Sequence, residues 1–225
     1  MLKRGIYSLK LISLLILSSC TLLTPRQEPL RDETSITTLR SLKATATIRM
    51  VRKSRLDFRG RALIIVQHPD LFRIELLGPF NQTAFIMTGD GERLSLFDVG
   101  KSVLHRWPAN RGPYPFTGTE IVSSLLGTLP EAPGNGNPEG GEIIEGSTEG
   151  GKRSFLREDS AKRNIRIDLE DFRSVSGVPL PFTISMASPL GRLSIRYKAV
   201  TLNVDTGSID FTLPAPAGVN EVYDQ

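Results

Sequence analysis

From Ala44 onward, apolar and polar residues alternate with a period of two. Ala44, Ala46, Ile48 and Met50 alternate with Thr45, Thr47 and Arg49, and Leu56, Phe58, Gly60, Ala62, Ile64 and Val66 with Asp57, Arg59 and Arg61. Phe72, Ile74 and Leu76 follow around Arg73 and Glu75, and Leu94 and Leu96 around Arg93 and Ser95. The later part repeats the pattern at Ile165, Ile167 and Leu169, at Phe182, Ile184 and Met186, and at Leu193, Ile195 and Tyr197. Segments with one apolar and one charged face predict an antiparallel sheet wet on one side. Turn signals separate them at Gly89-Asp90-Gly91, Val99-Gly100-Lys101 and Asp205-Thr206-Gly207.

Two segments carry a helical period instead. Ile36, Leu39 and Leu42 recur at a spacing of three, with Asp32 and Glu33 placed for the dipole, predicting a short helix over 31–42. Thr117 and Glu120 stand at capping-box spacing. Ile121, Val122, Leu125 and Leu126 then form one face before Gly127, a residue suited to the C-terminal stop. The stretch 130–142 is too rich in Gly and Pro for regular structure and reads as an exposed loop inside one domain. Some ten strands with so little helical cover predict a mainly β (α+β) fold. The curved antiparallel sheet would form an incomplete β-barrel with a helical lid over a hydrophobic cavity. A fully packed core satisfies the same pattern.

Composition narrows the chemistry. The chain has 225 residues, one cysteine and two histidines, which leaves no disulfide framework and argues against a metal centre. The net charge is +4, but Lys3, Arg4 and Lys10 stand in the first ten residues and the remainder is close to neutral, so nucleic acid is not an expected partner. Ser123-Ser124, Asp90, His68 and His105 form no nucleophile elbow and no metal spacing, and no GxxxxGK[ST] loop occurs. Neither an enzyme nor a cofactor is expected. His68 and His105 are expected at the surface, and Trp107 as an aromatic plug or part of a cavity rim.

The N-terminus reads as a targeting segment. A basic start precedes the apolar run Leu11-Ile12-Ser13-Leu14-Leu15-Ile16-Leu17, which is shorter than the ~20 residues that span a bilayer. Leu17-Ser18-Ser19-Cys20 then resembles the bacterial lipobox, which makes Cys20 the expected site of lipid attachment. The expected organisation is a lipoprotein signal peptide at 1–19, a lipidated cysteine with a flexible tether at 20–30, and a single domain at 31–225. By resemblance to Gram-negative sorting, Thr21 after the cysteine implies delivery to the outer membrane, facing the periplasm.

Three stretches resemble the LolA/LolB superfamily of lipoprotein carriers and receptors. The first runs from Leu71 to Thr83 and holds Gly78-Pro79-Phe80-Asn81 between two strands. The second runs from Pro115-Phe116 to Leu126-Gly127-Thr128-Leu129-Pro130. The third is Ile209-Asp210-Phe211-Thr212-Leu213-Pro214 with Gly218-Val219. The resemblance implies a barrel-like sheet with a helical lid. Joined to the lipobox, it implies a monomeric outer-membrane receptor of the LolB kind. Such a receptor takes the acyl chains of cargo lipoproteins from a LolA-like periplasmic carrier and delivers them into outer-membrane phospholipid. By the same resemblance, the Gly78, Pro79, Phe80 turn is the membrane-insertion element. Residues expected to face the cavity are Ile48, Met50, Phe58, Ile64, Phe72, Ile74, Leu76, Phe85, Met87, Leu94 and Leu96. A lipid-binding or envelope-sensor lipoprotein on the same fold is the alternative function, and a ligand-free structural lipoprotein is a third.

Overall fold

A computed structural model of the chain describes residues 39–52, 55–109, 116–128, 143–149, 151–158 and 164–223. All of them belong to the unit Thr37–Gln225. The period-two segments form strands. They are β1 (Ser41–Arg52), β2 (Arg55–Gln67), β3 (Leu71–Leu77), β4 (Thr83–Asp90), β5 (Arg93–Asp98) and β6 (Val103–Pro108). After the helix α1 (Gly118–Leu126) come β7 (Ile143–Glu149), β8 (Lys152–Glu158), β9 (Asn164–Val175), β10 (Val178–Ser188), β11 (Gly191–Leu202) and β12 (Asn220–Tyr223).

All twelve strands share one sheet in the order β12-β6-β5-β4-β3-β2-β1-β11-β10-β9-β8-β7. β7 and β12 lie at its two ends, so the sheet is unclosed. Every pairing is antiparallel except β12 on β6. Ala44 pairs with Ile64 and Val200, Ile48 with Gly60 and Ile195, and Ile74 with Ile64 and Met87, so the alternating apolar sets fall on one face. Register shifts at Thr45/Ala46, Met50/Val51 and Leu76/Leu77 add local twist.

The curvature of that face follows from α1. The helix touches β2, β3 and β10, Tyr197 of β11 donates a hydrogen bond to the Leu125 carbonyl at 2.8 Å, and Glu120 reaches Arg157 of β8. Six strand spacings separate β3 from β8, about 29 Å on a flat sheet. A nine-residue helix is only about 13.5 Å long and some 10 Å across. One small helix can reach all these strands only if the sheet curls around it.

A second, smaller core lies on the outer face. There the chain beyond β11 crosses back over the sheet as a strap before entering β12. Phe211 and Leu213 of the strap are buried, as are Ile65 and Leu104 on the outer faces of β2 and β6. Arg73 donates to the Asp210 carbonyl at 3.2 Å, and Arg106 to the Leu213 carbonyl at 3.1 Å and to Glu221 of β12 at 2.9 Å.

Several expectations are corrected here. The helix over 31–42 does not extend to its expected end, because Ser41 and Leu42 belong to β1, where Leu42 pairs with Val66 and Leu202. Its residues 31–38 lie outside the described residues. Among the described residues α1 is the single helix over the sheet. β7, β8 and β12 are strands that the hydrophobic pattern did not single out. Cys20, the tether and the Gly/Pro-rich loop lie outside the described residues.

Candidate functional site

The concave face is graded along the strands. At the end under α1 its side chains are sealed, with Leu42, Ile64, Val66, Phe72, Leu180, Ile184 and Leu125 essentially without solvent contact. Toward the opposite end of β1 to β5 and β11 cover thins, and Met50, Phe58, Leu76, Phe85, Met87, Leu96 and Leu193 are half-buried, whereas Met186 of β10, which pairs with Leu193, stays sealed. Registers tie this second group together, since Met50 pairs with Phe58 and Leu193, Leu76 with Phe85, and Met87 with Leu96. Phe58 meets Phe85 edge to face at 6.3 Å between centroids.

All the residues expected to face a cavity therefore share this concave face. Ile48, Ile64, Phe72, Ile74 and Leu94 lie in the sealed part. Met50, Phe58, Leu76, Phe85, Met87 and Leu96 lie in the half-buried part. His105 differs from expectation. It pairs with Leu96 on the concave side, is half-buried, and stacks on Trp107 at 5.5 Å, because Leu104 takes the outer face beneath the strap. His68 is exposed at the end of β2.

Gly78, Pro79 and Phe80 form the tip between β3 and β4, where Phe80 is 89% exposed. Pro79 presets the turn, and Asn81 adopts a left-handed φ of 65°, a conformation asparagine tolerates better than most residues. The turn closes through Gly78 N–H to the Gln82 carbonyl at 2.8 Å and Asn81 N–H to the Gly78 carbonyl at 3.1 Å. Phe80 projects at the half-buried end of the concave face, because β3 leaves that face through Leu76 and β4 re-enters it through Phe85.

The pin holding α1 in place is a pair whose partnership sequence reasoning missed. Glu120 and Arg157 are each 6% exposed and form a two-pronged ion pair, Arg157 Nη2 donating to Glu120 Oε2 at 2.8 Å and Nε to Oε1. Glu120 also closes the capping box by accepting from Thr117 N–H at 2.8 Å. The box was visible in the sequence, but nothing marked Arg157 as its partner. Burial pushes the Tyr197 phenol up, so it stays protonated and keeps donating to Leu125. Among the described residues no cluster of His, Cys, Asp or Glu could hold a metal, and no helix is long and apolar enough to cross a membrane.

By architecture this is a curled, unclosed antiparallel sheet around one pinned helix, with an apolar concave face less covered at one end. No known family profile matches the chain, and no curated protein does. Among solved structures it is similar to a LolA superfamily protein from Nitrosomonas europaea, at 11% identity, TM-score 0.48, covering 78% of this chain and 91% of that one. It is also similar to a putative outer membrane lipoprotein-sorting protein domain from Vibrio parahaemolyticus, at 10% identity, TM-score 0.45, covering 76% and 89%. The lipoprotein LppX from Mycobacterium tuberculosis is a more distant likeness, at 12% identity, TM-score 0.32, covering 76% and 92%.

Proposed function

We propose that this protein is a lipoprotein receptor that accepts acyl chains on its concave face and releases them into a membrane. One observation carries the reading. The end at which the concave apolar face loses its cover is also the end at which Phe80 projects, 89% exposed. An apolar surface open beside an apolar tip gives hydrocarbon chains a route from protein to bilayer. Burying Phe80 in lipid contributes ~1.5–3 kcal/mol, enough to bias docking without fixing it. Permanent attachment would come from acyl chains on Cys20, each buried methylene adding ~0.8 kcal/mol. In the finer reading the donor is a LolA-like periplasmic carrier and the destination is outer-membrane phospholipid. The relay runs on rising affinity alone, carrier to receptor to bilayer, without nucleotide or catalysis.

The test is transfer of an acylated lipoprotein from a loaded carrier into liposomes. Phe80→Glu should fold normally and abolish delivery, whereas Phe80→Leu should deliver. Equal delivery by wild type and both variants would remove Phe80 from the mechanism. A protein that retains phospholipid yet passes no cargo would be a lipid-binding or sensor lipoprotein instead.

A further inference from the structure

Among the described residues, Phe80 is one of three exposed large hydrophobes gathered at a single end of the sheet. Val99 (37% exposed) stands in the β5–β6 connection and Leu190 (42%) in the β10–β11 turn. The pairings put these connections at one end, since Val99 N–H donates to the Ala84 carbonyl at the start of β4, and Gly191 faces Arg52 at the end of β1. Phe80 and Leu190 stand about four strand spacings apart, roughly 20 Å along the curled edge.

The two outer tips share a construction. Phe80 lies in Gly78-Pro79-Phe80-Asn81 and Leu190 in Ser188-Pro189-Leu190-Gly191, so each hydrophobe follows a proline and precedes a residue that lets the chain turn back. Each has its backbone amide occupied by a side chain two residues away. Phe80 N–H donates to Gln82 Oε1 at 3.0 Å, and Leu190 N–H to Ser188 Oγ at 3.2 Å. Proline has no N–H to offer. A turn with its donors already satisfied can leave water at far lower cost than one with free amides. Gly191 is needed at its place, because a Cβ there would stand 2.4 Å from the Val51 carbonyl oxygen.

Positive charge lines the tips. Between and beside them, Arg49, Arg52, Arg59 and Arg192 are all exposed on β1, β2 and β11, and the nearby Asp98 is paired with Lys101 at 2.9 Å. The far end is mixed, with Asp70, Asp90 and Glu92 beside the exposed Arg40 and Arg93. The fourth exposed hydrophobe, Tyr223, lies along β12 toward that far end, beside Arg106.

We propose that this end of the sheet is a docking edge for an anionic phospholipid bilayer. Phe80 and Leu190 enter the lipid as two separated points, Val99 joins beside Phe80, and the arginines rest on the phosphates. Two points fix a tilt as well as a depth, so the half-buried part of the concave face is turned toward the membrane. The inference takes from the proposed function only the membrane as partner.

Tryptophan quenching tests it with the full-length chain reconstituted in vesicles. Phe80→Trp, Leu190→Trp and the control Tyr223→Trp each add one reporter to the native Trp107, and brominated acyl chains quench whatever enters lipid. On phosphatidylglycerol-containing vesicles Leu190→Trp and Phe80→Trp should both lose at least half of the added emission, and Tyr223→Trp little. Arg52→Glu with Arg192→Glu, or phosphatidylcholine alone, should weaken both losses severalfold. Quenching of Phe80→Trp alone would overturn the two-point edge while leaving the receptor reading intact. Quenching of both with no cargo delivered would do the reverse. Loss equal to that of Tyr223→Trp, or indifference to lipid charge, would also overturn it.

Discussion

Asp168 gathers an unusual number of partners for an outer-face carboxylate. Burial pushes its carboxyl up, yet the Ser154 hydroxyl at 2.7 Å, the Arg166 guanidinium at 2.9 Å and the Lys152 ammonium at 3.4 Å outweigh that and hold it below the usual range. A depressed carboxyl contributes stability that is fully present above the unfolded value of about 3.9 and lost as pH falls through the folded one. Urea midpoints measured from pH 6 to pH 2 should therefore fall on the acid side, and Asp168→Asn should flatten that fall while lowering the neutral value. Such clusters were not legible in the sequence. Ser154 and Asp168 are separated by fourteen positions and meet only because β8 pairs with β9. Phe80 was singled out through the family resemblance of the Gly-Pro-Phe-Asn turn, and its side chain stands exposed at that tip.

At the scale of elements, local chemistry was readable and partnership was not. The capping box and the Gly127 stop, with its φ of 79°, delimit α1 from residues within ten positions of one another. The ion pair that docks the helix joins residues thirty-seven apart. Removing one member takes from the other buried charge its two-pronged partner, so Glu120→Ala should cost ~3–5 kcal/mol in denaturant unfolding. Glu120→Leu combined with Arg157→Met should recover most of that loss, and a double-mutant cycle would measure the coupling. The misread start of β1 has a different cause. Three apolar residues at a spacing of three fit a helix, but the twelve residues of β1 pair with both β2 and β11 along nearly their whole length, and that ladder claims Ser41 and Leu42.

For the whole molecule, the alternation marked which face of the strands it picked out turns inward, and so the curled sheet and the shared face of the candidate residues. It said nothing of strand order across the middle, where β1 meets β11, nor of the strap. The strap had a signal in Phe211 and Leu213, two apolar residues flanking Thr212 near Pro214, but four residues of β12 are too few for a periodic pattern. Phe211→Ala, which empties a buried site on the outer face, should cost ~3–5 kcal/mol in urea unfolding and loosen β12 in hydrogen exchange before the rest of the sheet. These long connections also govern the order of events during synthesis. The central ladder joins residues near 45 to residues near 200, and the β6 edge is finished only by residues 220–223. An emerging chain thus has no complete sheet to rest in, and it must be kept from sticking to its neighbours until β12 has been made.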